Sequence, residues 1–340
     1  MDVIRHLRDM PRLEDSAITV GNFDGVHVGH RDVLARTVQR AAVLGGSPLA
    51  VTFVPHPVRV VTPGREPARL TPIELKLELM AQSGLDLTLV LHFDKRLAAM
   101  PPEQFARDVL HRATGARLIV VGRGFRFGLG RAGDVTLLRQ FGRELGFEVE
   151  PVEPVELDGQ PVSSSRIRLA LVEGRVDAAA RLLGRPHQVT GVVVRGDGRG
   201  RTIGFPTANL GGLRALLPGT GVYACWARVK DERLMAAVNI GDRPTFGRGR
   251  SVEAFMLDFT GDLYGSEVTL SFASRLRSPE RFSSVDDLVA RIEKDVELTR
   301  EVLETLPTGS ATTGFVPPPS HEAGARIARP SVDGHETGDT

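Results

Sequence analysis

The chain is short of several things, and each shortage removes a class of function. Cys225 is the one cysteine among 340 residues, which excludes a disulfide framework and any cysteine-based metal cluster. Set in an apolar run at 222–227, it reads as a small buried hydrophobe. No apolar run approaches the ~18 residues a membrane-spanning helix requires, and residues 1–15 are charged, without the apolar centre of a signal peptide. Neither sign of charge is in excess. The 43 Lys+Arg against 42 Asp+Glu leave +1, so there is no electrostatic footprint for nucleic acid. Lysine itself is scarce, with four residues, and nearly all the positive charge is arginine. Abundant alanine, glycine and valine make this a matter of codon bias rather than of arginine chemistry. None of the four lysines follows a glycine, which excludes the Gly-Lys-Ser/Thr of a P-loop. The expectation is a soluble, cytoplasmic protein that binds neither nucleic acid nor membrane and is long enough for two domains with cores of their own.

In the first half, apolar runs alternate with amphipathic stretches. Strands are expected at 17–20, 49–54, 87–93, 117–121 and 147–152, and helices at 32–44, 72–82, 101–113 and 134–145, two of them opened by proline. This order implies a parallel sheet with helices on both faces and a ligand crevice beyond the carboxyl ends of the strands. The stretch Gly21-Asn22-Phe23-Asp24-Gly25-Val26-His27-Val28-Gly29-His30 follows the first strand and leads into a helix. Small residues let a ligand approach the backbone, a helix N-terminus suits phosphate, and two imidazoles three positions apart can point the same way. Together they make a phosphate clamp. His27 and His30 lack the intervening Glu of a metalloprotease pair, and the glycines at 122–128 do not have the dinucleotide-binding spacing.

After Gly184-Arg185-Pro186 the pattern changes to short apolar runs at 189–194, 221–229, 234–240, 252–259 and 268–272, punctuated by glycine. This is the signature of an antiparallel barrel or sandwich, with a helix at 286–306 packed on it. A glycine-rich loop at 196–204 runs into Phe205-Pro206-Thr207-Ala208-Asn209. Its glycines, Gly198, Gly200 and Gly204 among them, offer backbone N–H groups to phosphate. Thr207 and Asn209, two apart on an extended strand, share one face and supply hard oxygen ligands for Mg²⁺. Residues 307–340 are rich in Gly, Pro, Ser and Thr without periodicity, and are expected to be disordered.

The His-x-Gly-His turn resembles that of HIGH-type nucleotidyltransferases, and specifically the adenylyltransferase module of prokaryotic bifunctional riboflavin kinase/FAD synthetases. Val51-Thr52-Phe53-Val54-Pro55-His56-Pro57, residues 121–128 and Val162-Ser163-Ser164-Ser165-Arg166-Ile167-Arg168 are similar to that family's further landmarks. In the second half the Pro-Thr-Ala-Asn sequence, residues 239–246, Val252-Glu253-Ala254-Phe255 and Asp262-Leu263-Tyr264-Gly265 resemble riboflavin kinase landmarks. The resemblance implies an α/β Rossmann-like nucleotidyltransferase domain with a parallel sheet at 1–184, then a mostly antiparallel β-barrel riboflavin kinase domain with a C-terminal helix at 185–306. It implies riboflavin, FMN, FAD and ATP as the small-molecule partners, with Mg²⁺ as cofactor.

The same resemblance implies roles. His27 and His30 would hold the transferring phosphate, with Gly21, Asp24 and Gly29 in the nucleotide turn, while Ser163, Ser164 and Arg168 would grip the triphosphate. Phe125 and Phe127 would meet flavin, and Glu253 would be the base of the kinase reaction. Apart from the resemblance, Arg277 lies before the last helix, where it is a candidate contact for flavin or phosphate and reads equally as a surface arginine. Asp24 reads equally as an Asx brace of its turn. The chain departs from the family at Val54, where Asp is usual, and at Gly124, where Asn or Asp is usual; Ser165 replaces Thr, and Pro161 stands where some relatives are basic. A lost polar contact in a desolvated site is worth about 1–3 kcal/mol. A kinase with a degenerate adenylyltransferase domain, and a non-catalytic flavin- or nucleotide-binding regulator, are therefore the alternative readings.

Overall fold

A computed structural model describes residues 1–196, 198–242 and 249–306. The expected disordered tail at 307–340, Asp197 of the glycine loop and residues 243–246 of one kinase landmark lie outside the described residues.

The first half folds as a six-stranded, all-parallel sheet. Its strands are β1 (Asp2–Ile4), β2 (Ser16–Val20), β3 (Pro48–Val54), β4 (Leu87–His92), β5 (Ala116–Gly122) and β6 (Glu148–Val152), in the order β1-β4-β3-β2-β5-β6. Five strands fall where the apolar runs predict them. β1 is an addition: three mostly exposed residues pair with β4 at the sheet edge and carry no periodic signal of their own.

The side-chain period of two sorts the strands onto two cores. On one face Ile18, Val20, Leu49, Val51, Ile119 and Val121 meet Phe105, Val109, Leu110, Leu138 and Phe141. Those partners come from a stretch of π-helix at Phe105–Arg112 and from a helix at Val135–Leu145. On the other face lie α1 (Val28–Leu44), which buries Leu34, and α2 (Ile73–Ala81), which buries Leu79 and Met80. The strand order reverses at β2. The crevice therefore opens where β2, β3 and β5 end, at the topological switch point.

Two consecutive helices, α3 (Ser164–Val172) and α4 (Val176–Leu183), lead out of this unit. The second half is a closed barrel of β7 (His187–Val194), β8 (Ala208–Gly211), β9 (Gly221–Val229), β10 (Glu232–Asp242), β11 (Arg250–Met256) and β12 (Glu267–Arg277), all neighbours antiparallel. Alternate residues, among them Val189, Val193, Tyr223, Cys225, Val238, Ala254 and Leu270, fill it. Cys225 is fully buried there, as a small hydrophobe would be. Of the two architectures left open by the sequence, the barrel is the one formed. A last helix, α5 (Val285–Thr305), is N-capped by Ser284 and lies across β9, β10 and β12.

The sheet unit and the barrel share a core. Leu70, from the loop before α2, packs with Ile167, Leu171, Val176 and Leu183 of α3 and α4 in the same cluster as the barrel interior. The backbone N–H of Leu216 donates to Arg69 O at 2.8 Å across the junction.

Candidate active sites

The turn after β2 is held in a costly shape. Phe23 and Val26 both take positive φ, 49° and 38°, conformations a bulky or β-branched residue adopts only when its surroundings enforce them. Burial supplies that enforcement, since both side chains sit in the core under α1 and α2. Asp24 braces the turn from the other side: its carboxylate accepts from Leu70 N at 3.1 Å and Thr71 N at 3.1 Å, and from Arg168.

Helix α1 begins at Val28, four residues ahead of the expected start at 32, because His27 is its N-cap. His27 Nδ1 accepts from the backbone N–H of His30 at 3.2 Å, which leaves the ring proton on Nε2. The two imidazoles stack with centroids 3.6 Å apart and planes 16° from parallel. They do point the same way. They are not cations, however: burial first, then Arg185, Arg31 and Arg168, push the His27 pKa down to about 3. His30 is also held well below its ordinary value, by burial and then by His27, Lys76 and Arg185. The pair offers neutral N–H donors at a helix N-terminus, and positive potential comes from the helix end and from neighbouring Lys and Arg.

A cleft of about 70 Å³ adjoins the turn, lined by Asn22, Phe53, Val54, His56, Thr71 and Lys76, among others. Lys76 is the functional candidate that sequence reasoning missed. Its Nζ donates to Asn22 O at 3.1 Å and to Thr52 Oγ1 at 3.0 Å, tying the end of β2 to β3. Burial lowers its pKa to about 8 against the opposing pull of Asp24. The signal was present: one of only four lysines stands on the apolar face of its helix, three and four residues before Leu79 and Met80.

Several expected phosphate ligands are committed elsewhere. Ser163 is the N-cap of α3, its Oγ accepting from Arg166 N at 3.3 Å, and Ser164 Oγ donates to Asp24 O at 2.9 Å. Arg168 donates to Asp24 and, through Nε, to Ala68 O at 2.7 Å. Ser163, Ser164 and Arg168 are thus engaged within the chain rather than free. As folded, the Ser-Ser-Ser-Arg-Ile-Arg landmark builds the turn around Asp24, and Asp24 is the brace rather than an open ligand. Gly21 and Gly29 lie where expected, a Cβ at Gly29 falling 3.4 Å from the His27 ring.

Phe127 is likewise corrected. Only 6% exposed, it packs on Phe105 in the sheet core, with Phe125 stacked above it at 5.4 Å. Phe125, half-buried at the rim, is the one of the two with a free face. Gly124 is exposed, with open space in its Cβ direction.

The barrel carries a second constellation on its outer wall. In β11 Val252, Ala254 and Met256 point inward and are buried, so Glu253 faces out. Glu253 is registered opposite Asn209 of β8 on one side and Asn239 of β10 on the other. The row Asn209, Glu253, Asn239 thus crosses three adjacent strands on one face. Two glycines of the loop, Gly196 and Gly200, lie against the Asn209 end of this row and the residues leading into it. A Cβ at Gly196 would overlap the Asn209 carboxamide, and one at Gly200 would overlap Phe205 O and reach 3.3 Å from Thr207 Oγ1. Gly198 and Gly204 serve differently: their φ values of 71° and 88° form the left-handed corners of the loop. Phe205 meets Phe255 edge-on at 5.3 Å, two residues along β11 from Glu253.

Arg277 is at the end of β12, but its guanidinium is occupied. Nε and Nη2 donate to the Asp295 carboxylate at 2.8–3.0 Å, and Asp295 is 3% exposed. In place of an open guanidinium for flavin, the structure shows an ion pair, buried on the Asp295 side, that straps α5 to the barrel.

A switch-point phosphate turn on a parallel sheet, joined to a closed barrel with a glycine-covered Thr/Asn/Glu face, defines a two-site transferase of nucleotide substrates. Residues 9–166 match the FAD synthetase family and residues 183–303 the riboflavin kinase family. Proteins named bifunctional riboflavin kinase/FMN adenylyltransferase are similar along almost their full length. The one from Escherichia coli (strain K12) is 38% identical over 300 residues, covering 88% of this chain and 96% of the relative. That of Pseudomonas fluorescens is 39% identical over 303 residues, covering 88% and 97%, and that of Bacillus subtilis (strain 168) 36% over 288, covering 82% and 90%. A solved structure from Streptococcus pneumoniae, described as a macrolide-efflux protein, shares the fold with a TM-score of 0.81 at 30% identity, covering 88% of this chain and 99% of that one. The chain belongs to the bifunctional riboflavin kinase/FMN adenylyltransferase family.

Proposed function

We infer that the chain performs both reactions of its family, each in its own module, with 1–184 and 185–306 as the two working units. At the barrel, the 5′-hydroxyl of the riboflavin ribityl chain attacks the γ-phosphorus of ATP. The bond from γ-phosphorus to the β–γ bridging oxygen breaks, ADP leaves, and the hydroxyl proton passes to the Glu253 carboxylate. The observation that carries this assignment is the row Asn209, Glu253, Asn239, whose Asn209 end is packed against Gly196 of the glycine loop. Thr207 and Asn209 fit Mg²⁺ as hard oxygen donors. A Mg²⁺ bound with water and substrate phosphates needs only one or two protein ligands, and when bound it would neutralise charge on the transferring phosphoryl group.

At the sheet, a phosphate oxygen of FMN attacks the α-phosphorus of ATP, and pyrophosphate leaves as the bond to the α–β bridging oxygen breaks. A phosphate monoester has its second pKa near about 6 and is largely ionised at neutral pH. The nucleophile needs no base, and neutral imidazole donors suffice to position and stabilise it. Gly21 and Gly29 let the nucleotide approach His27 and His30, and Phe125 offers a ring face to flavin. Among the described residues no helix is long and apolar enough to cross a membrane.

A narrower reading, kinase activity with a weakened adenylyltransferase, is favoured by Val54, an apolar side chain in the wall of the cleft. Chromatography of products from purified protein, riboflavin, ATP and Mg²⁺ separates the two. FMN and FAD together support both activities; FMN alone supports the narrower reading; neither product refutes both. Glu253→Gln is expected to lower FMN formation by about 10²–10⁴ while FMN supplied directly still becomes FAD. FMN formation at the wild-type rate would remove Glu253 from the mechanism.

A further inference from the structure

The segment that leads from α4 into the barrel lies against the turn of the other module. Leu183 O accepts from Arg31 Nη2 of α1 at 2.9 Å. Gly184, with φ 67°, packs so closely that a Cβ there would overlap the Arg31 guanidinium. Leu183 also stands in the Cβ direction of Gly25, at 3.4 Å. Residue 185 is therefore delivered, by a chain with little freedom, to the first turn of α1.

That residue is an arginine with almost no partners. Nη1 is 3.5 Å from Leu183 O and Nη2 is 3.5 Å from Thr71 Oγ1, both at the outer limit of a hydrogen bond. Nε is sealed from solvent and bonded to nothing. A guanidinium carries five N–H donors, and removing its charge from water is costly unless an anion faces it. No carboxylate of the described residues forms an ion pair with it, and the charge that bears on it is another cation, Arg31. The other cations of the turn are committed: Arg168 to Asp24 and Ala68 O, Lys76 to Asn22 O and Thr52, Arg31 to Leu183 O. Among these four cations Arg185 is the one with a buried donor, Nε, that has no partner and with no side-chain hydrogen bond shorter than 3.5 Å, and its charge is felt by both His27 and His30.

We propose that Arg185, the first residue past the α4 cap, is a ligand for the phosphates of ATP at the His27/His30 turn, so that the barrel module supplies a binding residue to the adenylyltransferase site. This rests on reading that turn as the adenylyltransferase site. A triphosphate is the anion the geometry suits. It brings several charges to a place with an unpaired guanidinium, a helix N-terminus and two neutral imidazole donors, and Arg forks match phosphate oxygens.

The test uses the full chain with ATP varied at saturating FMN. Arg185→Ala is expected to raise the KM for ATP in FAD formation by about tenfold or more, with a smaller change in kcat, and Arg185→Lys to recover part of the loss. Calorimetry with pyrophosphate as the probe is expected to show about a tenfold weaker complex for Arg185→Ala. Riboflavin phosphorylation at the barrel reports whether each variant is folded. An ATP KM and a pyrophosphate affinity within about twofold of wild type in folded Arg185→Ala overturn the assignment, as does equal behaviour of the Lys and Ala variants. If instead His30→Ala makes FAD as well as wild type, the turn itself is misassigned and the underlying reading fails, a result distinct from failure of Arg185 alone.

Discussion

Gly196 lies directly on the carboxamide of Asn209, so closely that a single added carbon would displace it. The backbone at Gly196 is free of a positive φ, and Gly196→Ala therefore shifts the Asn209 side chain rather than straining the loop. The expected outcome is a fall in riboflavin phosphorylation of about tenfold or more, with the thermal midpoint held within about 2 °C and FMN adenylylation retained. Kinase assays across Mg²⁺ concentrations check it. An unchanged rate would mean that Asn209 does not hold the metal.

Acid should loosen the fold through its histidines. His27 and His187 titrate at about 3 and about 4 in the folded chain, each chiefly because of burial, against 6.5 when free, and His30 is lowered as well. The unfolded chain thus binds more protons than the folded one below pH 6.5, and stability present above that pH is lost as pH falls toward the folded values. Each such group contributes a slope of about 1.4 kcal/mol per pH unit. Urea unfolding at pH 7.5, 6 and 5 should show the midpoint dropping in this window, and His187→Gln should flatten the dependence.

The Arg277–Asp295 pair separates a structural arginine from a flavin ligand. Arg277→Ala leaves the buried Asp295 carboxylate with only the longer contact to Arg291 at 3.7 Å and should cost about 3 kcal/mol, at the low end for breaking a buried pair. The double change Arg277→Met with Asp295→Leu removes both charges and should restore most of that stability. If the restored protein keeps its KM for riboflavin, Arg277 makes no contact with flavin; a large rise would return the residue to the binding site.

Val54 and Gly124 flank the crevice at the ends of β3 and β5. Gly124 has empty space in its Cβ direction for the larger Asn, and Val54, which lines the cleft, is close to Asp in size. Val54→Asp with Gly124→Asn should raise the rate of FAD formation from FMN if those polar contacts limit it. Steady-state kinetics of the double variant, with riboflavin phosphorylation as reference, measure the gain.

Much of this was legible in the residues. The alternation of apolar runs gave the parallel sheet, the glycine-punctuated short runs gave the barrel, and His-x-Gly-His and Pro-Thr-Ala-Asn fall at the switch-point turn and at the glycine loop of the barrel. What stayed hidden followed a common physical reason. A sequence shows which groups can donate or accept, but not which are already satisfied by the chain's own backbone. Arg168 and Asp24 look like ligands until Leu70 N, Thr71 N and Ala68 O are brought to them. Arg277 looks exposed until α5 delivers Asp295 eighteen positions later. Arg185, hidden in a helix-breaking Gly-Arg-Pro, has the opposite history, since folding takes partners away from it. Phe127 looks like a rim residue until Phe105 is brought against it, because a loop sequence does not show which of two nearby rings packs into the core.

The loop before α2 has a consequence for how the molecule is divided. Leu70 gives its N–H to the Asp24 carboxylate of the phosphate turn and its side chain to the cluster that continues into the barrel, while Arg69 O accepts from Leu216. A cut at residue 184 would sever the motifs cleanly yet leave an open apolar wound on both halves, along Leu70, Leu171 and Val176 on the first and along the barrel residues of the same cluster on the second. The line between the two chemistries is thus not a line between two stabilities, and whatever loosens the barrel loosens the grip on the turn as well.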